Sequence, residues 1–312
     1  MPPLSSIDIG SNSVRLLIGT VESGRINDIR HERIITRLAS GLGASGLLGR
    51  PNMQKTLQAL KGFLKITGQY GVRHIKAVGT SALREAKNSA EFVENVSAAT
   101  GIKIEVISGR REAELTAKGV LRGCAPGHNS LHLIIDIGGG STEWIYSKGR
   151  KVIAAGTVPV GVVKLHEKHM RSDPPSTADI SSLDRDLDGA SAEIKENVGD
   201  LFGEGVVLIG TAGTATTLAA IDLSLAVYDR QKVHMHKMSL RRLRALSETL
   251  TGLPLEARAG VRGLEPGRAD LIIPGIHFTI KLMEKLGIKG IVISDHGLLE
   301  GALLELSEEV RD

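Results

Sequence analysis

Two short stretches of this chain place a carboxylate just ahead of a turn made of small residues. Asp8-Ile9-Gly10 runs into Ser11, Asn12 and Ser13, and Asp136-Ile137-Gly138 runs into Gly139, Gly140 and Ser141. Such turns expose successive backbone N–H groups, a concavity that binds oxyanions. A neighbouring carboxylate can share a hard cation with phosphate oxygens and water, and Mg2+ suits that donor set. A third glycine turn, Gly210-Thr211-Ala212-Gly213-Thr214, falls where a strand meets a helix N-terminus, which also favours phosphate. Taken singly, each turn is equally an ordinary glycine hairpin with a local Asx cap. Their repetition points to a phosphate chain clamped between two lobes.

Several side chains could work beside these turns. Glu112 lies in the first turn of a helix opened by Ser108, but the capping-box position is Arg111, so the box does not account for this carboxylate. It either supports the helix dipole or takes a proton from, or orients, an attacking water. Arg84 follows a strand and begins a short helix, where its guanidinium either forks onto phosphate oxygens or sits exposed. Glu143 follows the second turn, to coordinate metal or to pair across the hairpin.

Other chemistries are excluded. His166 and His169 are spaced i, i+3 and not the i, i+4 of a zinc protease, and no P-loop or nucleophile-elbow sequence occurs. The single cysteine, Cys124, precludes an intramolecular disulfide framework and a cysteine-ligated zinc site. His234-x-His236 with Arg241, Arg242 and Arg244 is either a solvated basic face or a track for an anionic polymer.

The elements that must position these groups alternate strand and helix. Each Asp-x-Gly turn opens a strand–turn–strand–turn–strand meander, the first through Ile29 and the second through Ala154. The spacing predicts helices over 51–67, 82–87, 88–100 (with Asn88 and Glu91 as a capping signal), 110–121, 162–170, 178–198, 239–250, 268–286 and from Leu298 onward. Strands are expected at 75–78, 102–107, 206–209 and 290–293. A length of 312 residues favours two domains sharing a cleft. The lobes are expected at 1–124 and 125–297, with 298–312 packing back on the first and a hinge at Cys124-Ala125-Pro126-Gly127-His128.

Composition narrows the function. Apolar residues make up 41% and charged residues 24%, which suits a globular core and argues against disorder. A formal charge of +4 is a mild bias toward anionic ligands, and with three Tyr, four Phe and one Trp it does not describe a dedicated nucleic-acid binder. The N-terminal residues do not resemble a secretory leader, and no apolar run is long enough to span a bilayer, so a cytoplasmic location without membrane association is expected. A homodimer is compatible with the sequence, which does not report oligomeric state.

Taken together, Asp8-Ile-Gly-Ser-Asn-Ser-Val-Arg-Leu16, Thr80-Ser-Ala-Leu-Arg84-Glu-Ala-Lys-Asn88, Ser108-Gly-Arg-Arg-Glu112-Ala-Glu-Leu115 and Asp136-Ile-Gly-Gly-Gly-Ser-Thr-Glu143 resemble the exopolyphosphatase and guanosine pentaphosphate phosphohydrolase family. The likeness continues through Gly210–Leu218, Arg268–Gly275 and Ser294–Leu298. It implies an α/β, two-lobed fold of the actin, Hsp70 and sugar-kinase type, a duplicated ribonuclease H-like architecture with a central cleft. It also implies Mg2+-dependent hydrolysis of a terminal phosphoanhydride, on inorganic polyphosphate or guanosine pentaphosphate. By matching motif, Glu112 looks like the catalytic base, Asp136 and Glu143 like metal and water organisers, and Arg84 like a phosphate clamp. Ser11, Asn12, Ser13, Gly138, Gly139, Gly140 and Ser141 would supply cradle donors, with Gly210, Thr211, Gly213 and Thr214 as the third cradle. Asp8 looks like a metal-side or structural partner. The chain departs from the family in having Arg111 where an acidic residue is common, and Leu299 where arginine is common, which predicts a looser contact across the cleft. Longer members carry a C-terminal helical extension absent from this sequence, which predicts a weaker grip on very long polyphosphate. An ATP-dependent kinase and a non-catalytic alarmone sensor are the alternatives on the same scaffold.

Overall fold

The alternating apolar runs around the two Asp-x-Gly turns become sheet, and the longer amphipathic stretches become helices that cover it. The computed structural model describes residues 2–124, 127–199, 203 and 205–311. They fall into two units, Met1–Gly123 with His296–Asp312, and Cys124–Asp295. Of the expected hinge, Ala125 and Pro126 lie outside the described residues.

The first unit begins with the meander β1 (Leu4–Ile9), β2 (Ser13–Glu22) and β3 (Arg25–Ile35). There follow α1 (Leu42–Ser45), α2 (Arg50–Gln69), β4 (Ile75–Gly79), α3 (Ser81–Glu85), α4 (Ser89–Thr100), β5 (Ile104–Val106) and α5 (Gly109–Gly123). The sheet order is β3-β2-β1-β4-β5, with β1, β4 and β5 parallel and the meander antiparallel. Period-two alternation sorts the two faces: Leu16 and Ile18 pack with Leu60, Phe63 and Phe92, while Leu17 and Val21 turn to the other side.

The second unit repeats that plan. Its meander is β6 (Leu131–Ile137), β7 (Thr142–Lys148) and β8 (Lys151–Val158), followed by α6 (Val162–His169), α7 (Thr177–Val198), β9 (Val207–Thr211) and α8 (Ala212–Asp222). Next come α9 (Arg230–Val233), β10 (Lys237–Ser239), α10 (Leu240–Thr251), α11 (Leu255–Ala259), a 3₁₀ turn at Pro266–Arg268, α12 (Ile272–Leu286) and β11 (Gly290–Ile293). The order β8-β7-β6-β9-β11 reproduces that of the first unit, with β10 added antiparallel at the edge. Helix α8 is buried from Thr214 to Ile221, as an all-round small and apolar helix must be.

The last helix, α13 (Leu298–Glu309), belongs to the first unit. Leu299, Leu303, Leu304 and Leu306 join Leu4, Leu17 and Val21 in one apolar cluster. Leu299 thus fills core where the resemblance suggested a missing polar contact. Two glycines let α13 and α5 approach closely: a Cβ on Gly301 would stand 1.8 Å from the Leu115 carbonyl oxygen, and one on Gly119 would stand 2.0 Å from that of Gly297. Lys76 meets Glu305 at 2.8 Å, Lys118 meets Glu308 at 2.5 Å, and Arg111 also pairs with Glu305. Arg111 is therefore a clasp for α13.

Two local expectations change. Asn88 does not cap α4 with its side chain; its amide instead bridges Leu48, accepting from the N–H at 2.8 Å and donating to the C=O at 3.1 Å. The helix expected over 268–286 begins at Ile272, because Arg268 ends a separate 3₁₀ turn.

Candidate active site

Parallel strands bring their carboxyl ends to one end of a sheet, the usual place for ligands in open α/β folds. In the first unit, β1, β4 and β5 therefore deliver residues 10–13, Arg84 and Glu112 to the same end. In the second, β6, β9 and β11 deliver residues 138–141, 210–214 and 294–295.

In the first unit, Gly10 closes its turn by donating its N–H to the Ser13 carbonyl at 3.0 Å. The Asn12 carbonyl accepts from Thr36 and Arg37, and the Ser11 carbonyl from Ala39, all at 2.9–3.0 Å. With the Ser11 and Asn12 carbonyls engaged by the protein, the N–H groups of this buried turn are the ones a nest would offer an anion. The Asn12 amide is buried with neither Nδ2 nor Oδ1 hydrogen-bonded among the described residues, polar capacity that a ligand or water would satisfy. Asp8 pairs in register with Arg15, whose Nε and Nη2 donate to Oδ2 at 2.8 and 2.5 Å. Its Oδ1 is buried without a hydrogen-bond partner among the described residues.

Glu112 sits in the first turn of α5, only 7% exposed. Ser108 caps that helix, accepting from the Arg111 N–H at 3.2 Å, which leaves the Glu112 side chain outside the cap. Arg84 Nη1 donates to the Ile107 carbonyl at 2.9 Å and to Glu112 Oε2 at 3.1 Å. The guanidinium thus ties the end of β5 to the carboxylate and fixes its direction. The sequence left Arg84 between a phosphate clamp and an exposed arginine; here it is a half-buried partner of Glu112.

In the second unit, Gly138 donates its N–H to the Ser141 carbonyl at 3.0 Å, matching the first turn. The Gly138 and Gly139 carbonyls accept from the first N–H groups of α6, Val162 at 3.0 Å and Val163 at 2.8 Å. Asp136 lies opposite Glu143 in the β6–β7 register, and they are 5% and 1% exposed. Where the first meander matches aspartate with arginine, the second matches it with a second carboxylate. Glu143 Oε1 accepts from Ser141 Oγ at 2.8 Å and Thr157 Oγ1 at 2.9 Å. Like charges facing each other across a buried strand pair are costly unless a cation joins them.

The third turn lies beside Asp136, which pairs in register with Thr211. Ala212 adopts φ 59°, a left-handed conformation that sharpens the passage from β9 into α8. Thr214 Oγ1 anchors the helix start on the Ile137 carbonyl at 2.9 Å. A Cβ on Gly213 would stand 2.1 Å from Arg268 Nη1, so this guanidinium lies against the helix N-terminus.

Asp136 and Glu143 could offer two carboxylates to a cation, and among the described residues no group of three or more His, Cys, Asp or Glu forms a metal cluster. Two carboxylates fit Mg2+, which keeps waters and substrate phosphates for its remaining positions. Burial pushes the Cys124 thiol up, and a hydrogen bond with Ser294 offsets only part of that, which disfavours the reactive thiolate. His169 is buried against Ser182 at 3.0 Å and Asp186 at 2.8 Å, a structural role. Among the described residues, no helix is long and apolar enough to cross a membrane.

Sequence reasoning missed three contributors: Arg15, Thr157 and Arg268. Arg15 was discoverable, since it stands seven residues after Asp8 as Glu143 stands seven after Asp136. Thr157 reaches its place by tertiary packing and carries no local signal, whereas Arg268 opens a stretch that carries the family likeness without a role being assigned to it.

Both units share one sheet order, with a glycine turn at the end of the first strand of each meander and buried carboxylates beside it, an arrangement suited to binding phosphate. The chain belongs to the Ppx/GppA phosphatase family, whose sequence profile matches residues 17–309. Exopolyphosphatase 2 of Mycobacterium tuberculosis is 30% identical over 97% of this chain and 98% of its own length. A guanosine-5'-triphosphate,3'-diphosphate pyrophosphatase of Vibrio atlanticus is 29% identical over 99% of this chain, which spans 60% of that relative. Among solved structures, the Aquifex aeolicus Ppx/GppA member is 32% identical with a TM-score of 0.83, covering 100% of this chain and 99% of that one. An exopolyphosphatase from Cytophaga hutchinsonii is 26% identical with a TM-score of 0.90, covering 98% of each chain.

Proposed function

We propose that the protein is a Mg2+-dependent phosphohydrolase that releases the terminal phosphate of inorganic polyphosphate, with guanosine pentaphosphate as a second substrate at the same residues. The observation that carries this reading is the contrast between the two Asp-x-Gly hairpins. One balances its aspartate with Arg15, and the other gathers Asp136 and Glu143 behind an N–H-lined turn. Asp136 and Glu143 would hold Mg2+, with Asp8 as a partner on the metal side. When bound, the ion would neutralise charge developing on the transferred phosphoryl group.

The N–H groups of residues 138–141 and the start of α8 bind the non-bridging oxygens of the chain end, and those of residues 11–13 are a further candidate cradle for phosphate. Glu112, oriented by Arg84, accepts a proton from water as the water oxygen bonds to the terminal phosphorus. The bond from that phosphorus to the bridging oxygen breaks, and the bridging oxygen remains as the new chain terminus. Positioning and electrostatics supply most of the rate in phosphoryl transfer.

A phosphate-release assay with Mg2+, run on polyphosphates of several lengths, guanosine pentaphosphate and ATP, tests the reading. Free phosphate without any acceptor, abolished by chelation, is the expected result. Label passing from ATP to a small acceptor would instead establish a kinase, and binding without phosphate release would establish a sensor.

A further inference from the structure

The β7–β8 hairpin carries a cationic surface with no role in the site described. An open concavity of about 600 Å3 is lined by His128, Lys148, Arg150, Lys151 and Ile153, and no acidic side chain lines it. Among the described residues, none of its four basic side chains makes an ion pair or a side-chain hydrogen bond. The basic cluster after α9 behaves otherwise: His236 and Arg242 close on Asp222 at 2.7 and 2.5 Å, and Arg244 closes on Glu284 at 2.8 Å.

The concavity is built by the backbone. Gly149, at φ 55°, donates its N–H to the Ser130 carbonyl at 2.8 Å, and a Cβ there would stand 2.6 Å from the His128 carbonyl oxygen. That clasp brings His128 onto the hairpin turn. Lysine on β8 alone would be explained as protection of an edge strand. His128 comes from a different segment and lies outside that explanation.

We propose that His128, Lys148, Arg150 and Lys151 form a second anion-binding patch, which holds the distal phosphates of a long inorganic polyphosphate whose end is engaged near Asp136 and Glu143. The proposal rests on the hydrolase reading and selects its substrate. Lys148 lies five residues along β7 from Glu143. At the rise of an extended strand that separation is about 17 Å. Lys148 and Glu143 stand at opposite ends of β7, which is buried between them, so a phosphate chain would cross that span over the more exposed edge strand β8; a long chain reaches, and the short phosphate arms of a guanosine alarmone do not. No aromatic side chain lines the concavity, so it has cations for phosphates and no platform for bases.

The test is equilibrium binding in EDTA, where no turnover occurs, of wild type and the Lys148→Ala/Arg150→Ala/Lys151→Ala variant to long-chain polyphosphate and to tripolyphosphate over a range of salt. Loss of these three contacts should weaken long-chain binding about tenfold at moderate salt and flatten the slope of log affinity against log salt by about two to three. The charge-conserving Lys148→Arg/Lys151→Arg variant should retain wild-type affinity. Unchanged long-chain affinity, or an equal loss for tripolyphosphate, would overturn the patch. So would a variant that loses single-stranded RNA while keeping polyphosphate. If wild type releases no phosphate from any chain yet the binding difference persists, the hydrolase reading fails and the patch stands.

Discussion

Gly161→Ala isolates the contribution of the 138–141 turn, because its effect is steric and not conformational. Gly161 precedes α6 with φ −145° and ψ 160°, extended backbone that alanine adopts freely. Its added Cβ would stand 2.5 Å from the Gly139 carbon and oxygen and from the Gly140 nitrogen. All three are backbone atoms, so no side chain can rotate away. Ordinary contact requires the turn to retreat by about 0.9 Å. Two hydrogen bonds into the start of α6 oppose that retreat. A displacement of about 1 Å at reacting groups costs up to about 100-fold, so kcat/KM for polyphosphate should fall by about that factor. Overpacking should cost about 1–3 kcal/mol of stability. Phosphate release against substrate concentration, with a urea denaturation curve on the same preparation, reads both. Wild-type kcat/KM in a variant with the expected stability loss would mean that the turn does not hold the reacting phosphate.

Other expectations follow from the same geometry. Gly62→Ala adds a methyl in the interior of α2 where no heavy atom lies within 4 Å. It should raise stability by about 1 kcal/mol with unchanged activity in the same two assays. Gly301→Ala drives a methyl into the Leu115 carbonyl. The clash should cost about 3 kcal/mol by urea midpoint and lower activity, since α5 carries Glu112. An unshifted midpoint would refute the close α5–α13 packing. Asp179 is lowered from 3.8 to about 2 by the Ser172 hydroxyl first and the Ser176 backbone N–H next. A depressed carboxylate stabilises the fold above its unfolded value, and that contribution is lost as pH falls from about 4 to about 2. Asp179→Asn should therefore show a flatter decline of melting temperature across that window, and superimposable profiles would contradict the assignment.

Much of this architecture is written locally. The meanders were legible because β-branched runs alternate with Gly and Ser turns, and α2 and α13 because their apolar residues recur at helical spacing. β10 was not, since Lys237–Ser239 gains its strand geometry only by pairing with β11. Asn88 misled because its capping pattern is local whereas its partner, Leu48, lies forty residues away. Within the candidate site, the turns and Asp136 announced themselves by repetition. The Arg84–Glu112 pair was hidden: each residue has an ordinary local explanation, and only the parallel ordering of β4 and β5 brings them together.

The proposed transfer of a proton from the attacking water to Glu112 is tested by a single-turnover measurement of Glu112→Gln on polyphosphate with Mg2+. The chemical step should slow by at least about 100-fold, with polyphosphate affinity unchanged. A single-turnover rate equal to that of wild type would contradict it.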